Sequence, residues 1–78
     1  MSLYTVKASF DAETDVWFVE QTDIPGLATE AASFEELCRK VEVMGGELLE
    51  ANGLETAPAE FAIEIIAHTT AKLSLTAA

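Results

Sequence analysis

Asp23-Ile24-Pro25-Gly26-Leu27-Ala28-Thr29-Glu30-Ala31-Ala32-Ser33-Phe34-Glu35-Glu36-Leu37 reads, in order, as a turn, a short strand and a helix start. Pro25 fixes its own φ and Gly26 tolerates positive φ, which is turn chemistry. Leu27 to Ala31 can then run extended. Ser33 is placed to accept from the backbone N–H of Glu36, and the Glu36 carboxylate to reach back to the N–H of Ser33. That is a capping box, and an apolar helical pattern follows at once. The stretch carries no catalytic chemistry; it decides topology.

Downstream, the spacing predicts a helix over Phe34 to Ala51. At about 100° per residue, Phe34, Leu37, Cys38, Val41, Met44, Gly45, Leu48 and Leu49 share one stripe. Glu35–Arg39 and Glu36–Lys40 are i,i+4 pairs in the favourable order, and Asn52-Gly53 supplies a C-terminal stop. Gly45 sits near the centre of the stripe, where a missing side chain lets a helix approach a sheet closely. Gly46 lies off the stripe and Val43 points away from it.

Upstream, Leu3 to Phe10 alternates, with Tyr4, Val6, Ala8 and Phe10 on one side and Thr5, Lys7 and Ser9 on the other. This is a half-buried strand. Asp11 to Asp15 is a polar hairpin loop, and Val16 to Glu20 is a second strand, antiparallel to the first. After the Ala57-Pro58-Ala59 linker, alternation runs unusually far, from Phe61 to Leu75. A strand of that length would span about 50 Å, longer than the rest of the sheet can pair. Residues 71–78 are expected to form an extended or flexible tail. The whole chain reads as a single α+β domain in the order β1-β2-β3-α-β4. One mixed sheet carries a single helix on one face, and the other face shows Lys7, Glu64 and His68.

Composition narrows the function classes. The chain has 78 residues, half of them apolar, and a positive mean hydropathy. So small a core often needs assembly for stability, and a homodimer or higher oligomer is the expectation. Fourteen acids against four bases give a net charge of −10. Phosphate backbones repel such a surface, which argues against direct nucleic-acid binding. Anchoring by a basic patch to a membrane is disfavoured for the same reason, whereas a cationic protein partner would be steered toward it. With no leader and no spanning apolar run visible, the expected location is cytoplasmic. Cys38 is the single cysteine, and its place on the apolar stripe marks it as a buried, inert thiol.

Candidate chemical sites do not assemble. Asp11, Glu13 and Asp15 match the first three ligand positions of a calcium loop, but Val16 and Thr22 stand where the loop needs glycine and a bidentate glutamate. His68 is the sole histidine, so a structural zinc set is not available. Gly45-Gly46 lies inside a helix without a following lysine, unlike a phosphate loop. The reading is therefore non-catalytic, with no metal and no cofactor.

The element order, with Val16-Trp17-Phe18-Val19-Glu20, Asp23-Ile24-Pro25-Gly26-Leu27, Thr29 and Ser33-Phe34-Glu35-Glu36, resembles the HicB-like antitoxin family over about residues 3 to 70. Ala31 and Leu37 stand where that family often has glycine and alanine. The resemblance implies a partial ribonuclease-H-like sheet in the order 3-2-1-4. It also implies a protein-interaction module that masks a small, basic, RNA-cleaving HicA-like toxin. Ribonuclease-H chemistry itself needs carboxylates that hold metal ions, one of them in the first strand, and Leu3 to Phe10 has no acid. On this reading Asp11, Glu13, Asp15, Glu20 and Asp23 are the candidate partner contacts. His68, Thr70, Lys72, Leu73 and Leu75 are the candidate oligomer contacts, since strand four would lie at a sheet edge. Pro25, Gly26, Ser33, Glu36 and Gly45 carry structural roles. The alternative reading is an oligomeric small-ligand-binding or scaffold domain, with an apolar cleft between subunits near Trp17 and the helix.

Overall fold

The computed structural model describes residues 2–77. Its elements are β1 (Ser2–Asp11), β2 (Val16–Thr22), β3 (Glu30–Ala31), α1 (Phe34–Ala51) and β4 (Phe61–His68). They form one four-stranded sheet in the order β3-β2-β1-β4. β1 pairs antiparallel with β2 and parallel with β4, and β2 pairs antiparallel with β3. The α+β architecture and the strand order are those the sequence indicates.

The helix limits follow from chemistry at both ends. Ser33 Oγ accepts from Glu36 N at 3.1 Å, which is one half of the expected capping box. At the other end Gly53 has φ +72°. The N–H groups of Leu54 and Gly53 donate to the carbonyls of Leu49 and Glu50, at 2.9 and 3.1 Å. That is the Schellman pattern, and it satisfies carbonyls the helix itself leaves open.

The Ile24–Leu27 segment is a type II turn. Pro25 takes its second position and Gly26, at φ +79°, its third, while Leu27 N donates to Ile24 O at 3.3 Å. The turn drives both Ile24 and Leu27 into the core. This has a cost in pairing, because β3 covers only Glu30–Ala31 rather than Leu27 to Ala31. With Leu27 directed inward, the chain meets β2 only from Thr29, whose carbonyl accepts from Val19 N at 3.2 Å. β1 and β2 are each longer than the alternation indicates. The extension of β2 passes through a bulge: Lys7 faces Gln21 while Ala8 faces Val19, so Glu20 has no opposite residue.

The core consists of Val6 and Ala8 from β1, Ile24 and Leu27 from the turn, Ala31 from β3, and Leu37, Val41 and Leu49 from α1. Trp17 packs between Phe10 and Phe34, at ring-centroid distances of 5.4 and 5.3 Å. Gly45 is buried among these residues. A Cβ there would lie 3.1 Å from Ile63 Cδ1 and 3.4 Å from Ile24 Cδ1. A Cβ on Gly46 would meet only Phe61 Cζ, at 4.0 Å. Cys38 is half-buried rather than buried, because it lies at the edge of the stripe. Burial raises its thiol pKa, and the Glu42 and Glu35 carboxylates raise it further, so the thiol stays protonated.

The connection from α1 to β4 is tied down by Tyr4, whose hydroxyl donates to the Glu55 carboxylate. The Tyr4 ring stands edge-on to Phe61 at 6.0 Å. The bond to Glu55 raises the phenol pKa above its ordinary 10.0, with desolvation adding to it.

Gly45→Leu overpacks the contact with Ile63 and Ile24, and the expected loss is about 1–3 kcal/mol. Gly46→Ala has room and gains helix propensity of up to about 1 kcal/mol. Equal melting temperatures for wild type and Gly45→Leu would contradict the observed helix phase. For Tyr4 the folded pKa is the higher one. Its stabilisation is therefore complete below the unfolded value and is lost as pH rises through the folded value. Thermal melts at rising alkaline pH should show wild type losing stability faster than Tyr4→Phe, and parallel curves would refute the role of this bond.

Candidate functional site

Only one face of the sheet is covered by α1. Side chains alternate along a strand, so the residues opposite the core make up a second, open face. β1 contributes Leu3, Thr5, Lys7 and Ser9 to it, and β4 contributes Glu64, Ile66 and His68 in register beside Thr5, Lys7 and Ser9. Phe18 joins it opposite Ser9. Leu3 is 60% exposed and Ile66 50%, so the face offers apolar area as well as charge.

The polar groups on this face contact one another. Lys7 Nζ lies 3.1 Å from Glu20 Oε2. The bulge puts Glu20 on the same side as Lys7, and hydrogen bonding to Lys7 and then Ser9 lowers its carboxyl pKa. Ser9 Oγ approaches His68 Nδ1 at 3.4 Å, and Ser9 itself is buried. An ion pair this exposed adds little to stability, so its role is to hold side chains in place more than to stabilise the fold. Beside it lies an open hollow of about 330 Å³, lined by Thr5, Val6, Lys7, Gln21, Thr22, Asp23 and Ile66. A smaller hollow of about 150 Å³ lies on the helix side, lined by Gly46, Glu50, Glu55, Ala57, Ala59 and Phe61. Trp17 lines neither.

The five candidate partner-binding acids do not form one patch. Asp11, Glu13 and Asp15 cluster at the β1–β2 hairpin, while Asp23 lies past the far end of β2, about 20 Å away by strand rise. Three of the five hold the chain together. Asp11 Oδ1 accepts from Glu13 N at 2.9 Å, Asp23 Oδ1 accepts from Thr5 N at 2.9 Å, and Glu20 pairs with Lys7. Glu13 and Asp15 are exposed at the tip, Asp15 with φ +55°. Among the described residues no group of three or more acids, histidines or cysteines is arranged to hold a metal ion. No helix among them is long and apolar enough to cross a membrane.

The candidate oligomer contacts lie at the end of β4 and beyond it. His68 is the last residue of the strand. Thr70, Lys72, Leu73 and Leu75 are exposed and outside regular structure; Leu73 is 87% exposed and Leu75 fully so. Two elements of the site have no clear signal in the sequence. The Glu20 bulge has no glycine to announce it. The Ser9–His68 approach depends on the parallel β1–β4 register, which only the folded chain fixes.

Comparison with known proteins agrees with this fold. The family model described as a domain of unknown function, DUF1902, matches residues 3–77, and the chain belongs to that family. A solved structure with the same arrangement is that of the hypothetical protein TTHA1013 from the extremely thermophilic bacterium Thermus thermophilus. The two chains are 44% identical, the match covers 94% of this chain and 99% of that one, and the TM-score is 0.68. No curated protein matches the chain.

Proposed function

We propose that this DUF1902 chain is a non-catalytic protein-interaction module, similar to a HicB-like antitoxin, that docks a small basic partner. The open sheet face carries the reading. It combines exposed Leu3 and Ile66 with a polar row, on a molecule of net charge −10. Exposed apolar side chains among charged ones suit a partner surface, and long-range attraction speeds the approach of a cation-rich protein. On this reading the free acids at the hairpin tip, Glu13 and Asp15, steer the approach. Asp11, Glu20 and Asp23 keep the platform in shape. The partner chemistry is that of a short basic protein that cleaves RNA, whose cationic substrate-binding surface the module covers.

The test starts from the neighbouring short open reading frame. Its product should be basic, should co-purify with this chain, and should lose RNA cleavage when bound. Glu13→Lys with Asp15→Lys should slow association about tenfold at low salt and have little effect at high salt. A neighbour that is not basic, together with a pull-down that recovers no such protein, would rule the reading out. The hollow lined by Thr5, Lys7, Gln21 and Asp23 favours one alternative, an oligomeric domain that binds a small polar ligand. Thermal stabilisation by a metabolite, with none by a basic protein, would select it.

A further inference from the structure

We infer that two copies of this chain pair through β4 and the segment that follows it. Each copy lays residues 69–75 along the free edge of the other's β4. The inference does not depend on the antitoxin reading.

β4 is an edge strand, with β1 on one side and, among the described residues, no strand on the other. Such an edge presents open N–H and C=O groups that recruit another strand. The segment after His68 stands away from the body. The molecule measures 63 × 22 × 18 Å, yet its longest strand, β1, spans only about 33 Å at 3.3 Å per residue. The radius of gyration of 15.7 Å likewise exceeds the roughly 11–12 Å of a compact chain this size. The extra length is residues 69–77, which are exposed throughout. Their alternation continues that of β4, with Leu73 and Leu75 on the parity of Ile63 and Ile65.

The local charges at this edge fit a second copy as the occupant. Two bodies of net charge −10 repel, and nearly all of the acids lie before β4. Between residues 61 and 77 the only charged side chains are Glu64 and Lys72. An antiparallel pair with residue 68 facing its own copy places Lys72 opposite the partner's Glu64. In that register Leu73 faces the partner's Ile63, and Leu75 faces the partner's Phe61. All the apolar pairs then fall on the helix side, beside the hollow between Gly46 and Phe61. A shift of one residue would turn Leu73 and Leu75 to the opposite face. The two-fold arrangement makes both contacts reciprocal. Each sheet thereby gains a fifth strand, and each β4 loses its free edge.

The test uses the full chain, in which residues 69–77 are exposed and outside regular structure. Sedimentation over a wide concentration range should show a monomer–dimer equilibrium. Leu73→Asp with Leu75→Asp should give monomers whose circular dichroism is unchanged. Lys72→Glu alone and Glu64→Lys alone should each weaken the dimer several-fold, and the double charge swap should restore it to within about twofold. A wild-type chain that stays monomeric at every concentration overturns the inference and leaves the edge to a foreign strand. A dimer that survives the leucine substitutions overturns the strand exchange. A dimer lost with the leucines but not recovered by the charge swap overturns the register.

Discussion

The contact of Gly45 with Ile24 and Ile63 sets the distance between helix and sheet. A side chain at Gly45 would reach within 3.1 Å of Ile63 and 3.4 Å of Ile24, so α1 lies closer to these side chains than a Cβ would readily permit. That closeness joins three parts of the chain: the Pro25-Gly26 turn, the middle of α1 and β4. Ile24 enters the core because the turn after it is tight. β4 is held to the core because Ile63 meets a bare stretch of helix. Leu48 reinforces the arrangement by packing toward Gly26, where a Cβ would lie 3.5 Å from Leu48 Cδ2. The protein thus uses glycine where the helix touches the sheet and accepts a lower helix propensity there.

One helix cannot cover such a sheet on both sides. With 18 residues α1 is about 27 Å long and about 10 Å wide, enough for one face only. The open face and the β4 edge are therefore consequences of the architecture, not local defects. The chain treats them differently. The face is furnished with paired polar side chains, Lys7 with Glu20 and Ser9 near His68, which satisfy one another, with Ile66 beside Lys7 and Leu3 exposed toward the start of β1. The edge carries one carboxylate, Glu64, and a continuation without acids. A face of the first kind suits a transient partner of opposite charge. An edge of the second kind suits a strand.

The helix was legible in the sequence because both of its ends are encoded locally, by Ser33 and by Asn52-Gly53. The strand order came from the resemblance to the HicB-like fold, since no local feature of the turn or the cap specifies it. Three features were not. β3 looks extended from Leu27, but the type II turn commits Leu27 to the core, and only tertiary burial decides that contest. The Glu20 bulge is a matter of register between two strands, and neither strand alone contains it. The Tyr4–Glu55 bond joins the first strand to a loop far along the chain. The acids show the same division. Their number and sign are plain in composition, yet Asp11, Glu20 and Asp23 have backbone or side-chain partners set by folding, while Glu13 and Asp15 remain exposed.

Acidity and edge pairing belong to one problem. An unprotected edge strand invites indiscriminate pairing, and charged side chains are a common deterrent. In this chain the deterrent is placed on the body: the hairpin tip, the exterior of α1 and the loop before β4 all carry carboxylates. Any strand that approaches β4 must also approach that negative field, which falls off over about 8–10 Å at ordinary salt. A segment without acids that carries a single lysine passes this filter, and an acidic strand does not. The same rule that keeps acidic strands away leaves the edge open to the segment after His68. Specificity here comes from where negative charge is missing, with the apolar alternation supplying the attraction that charge alone does not.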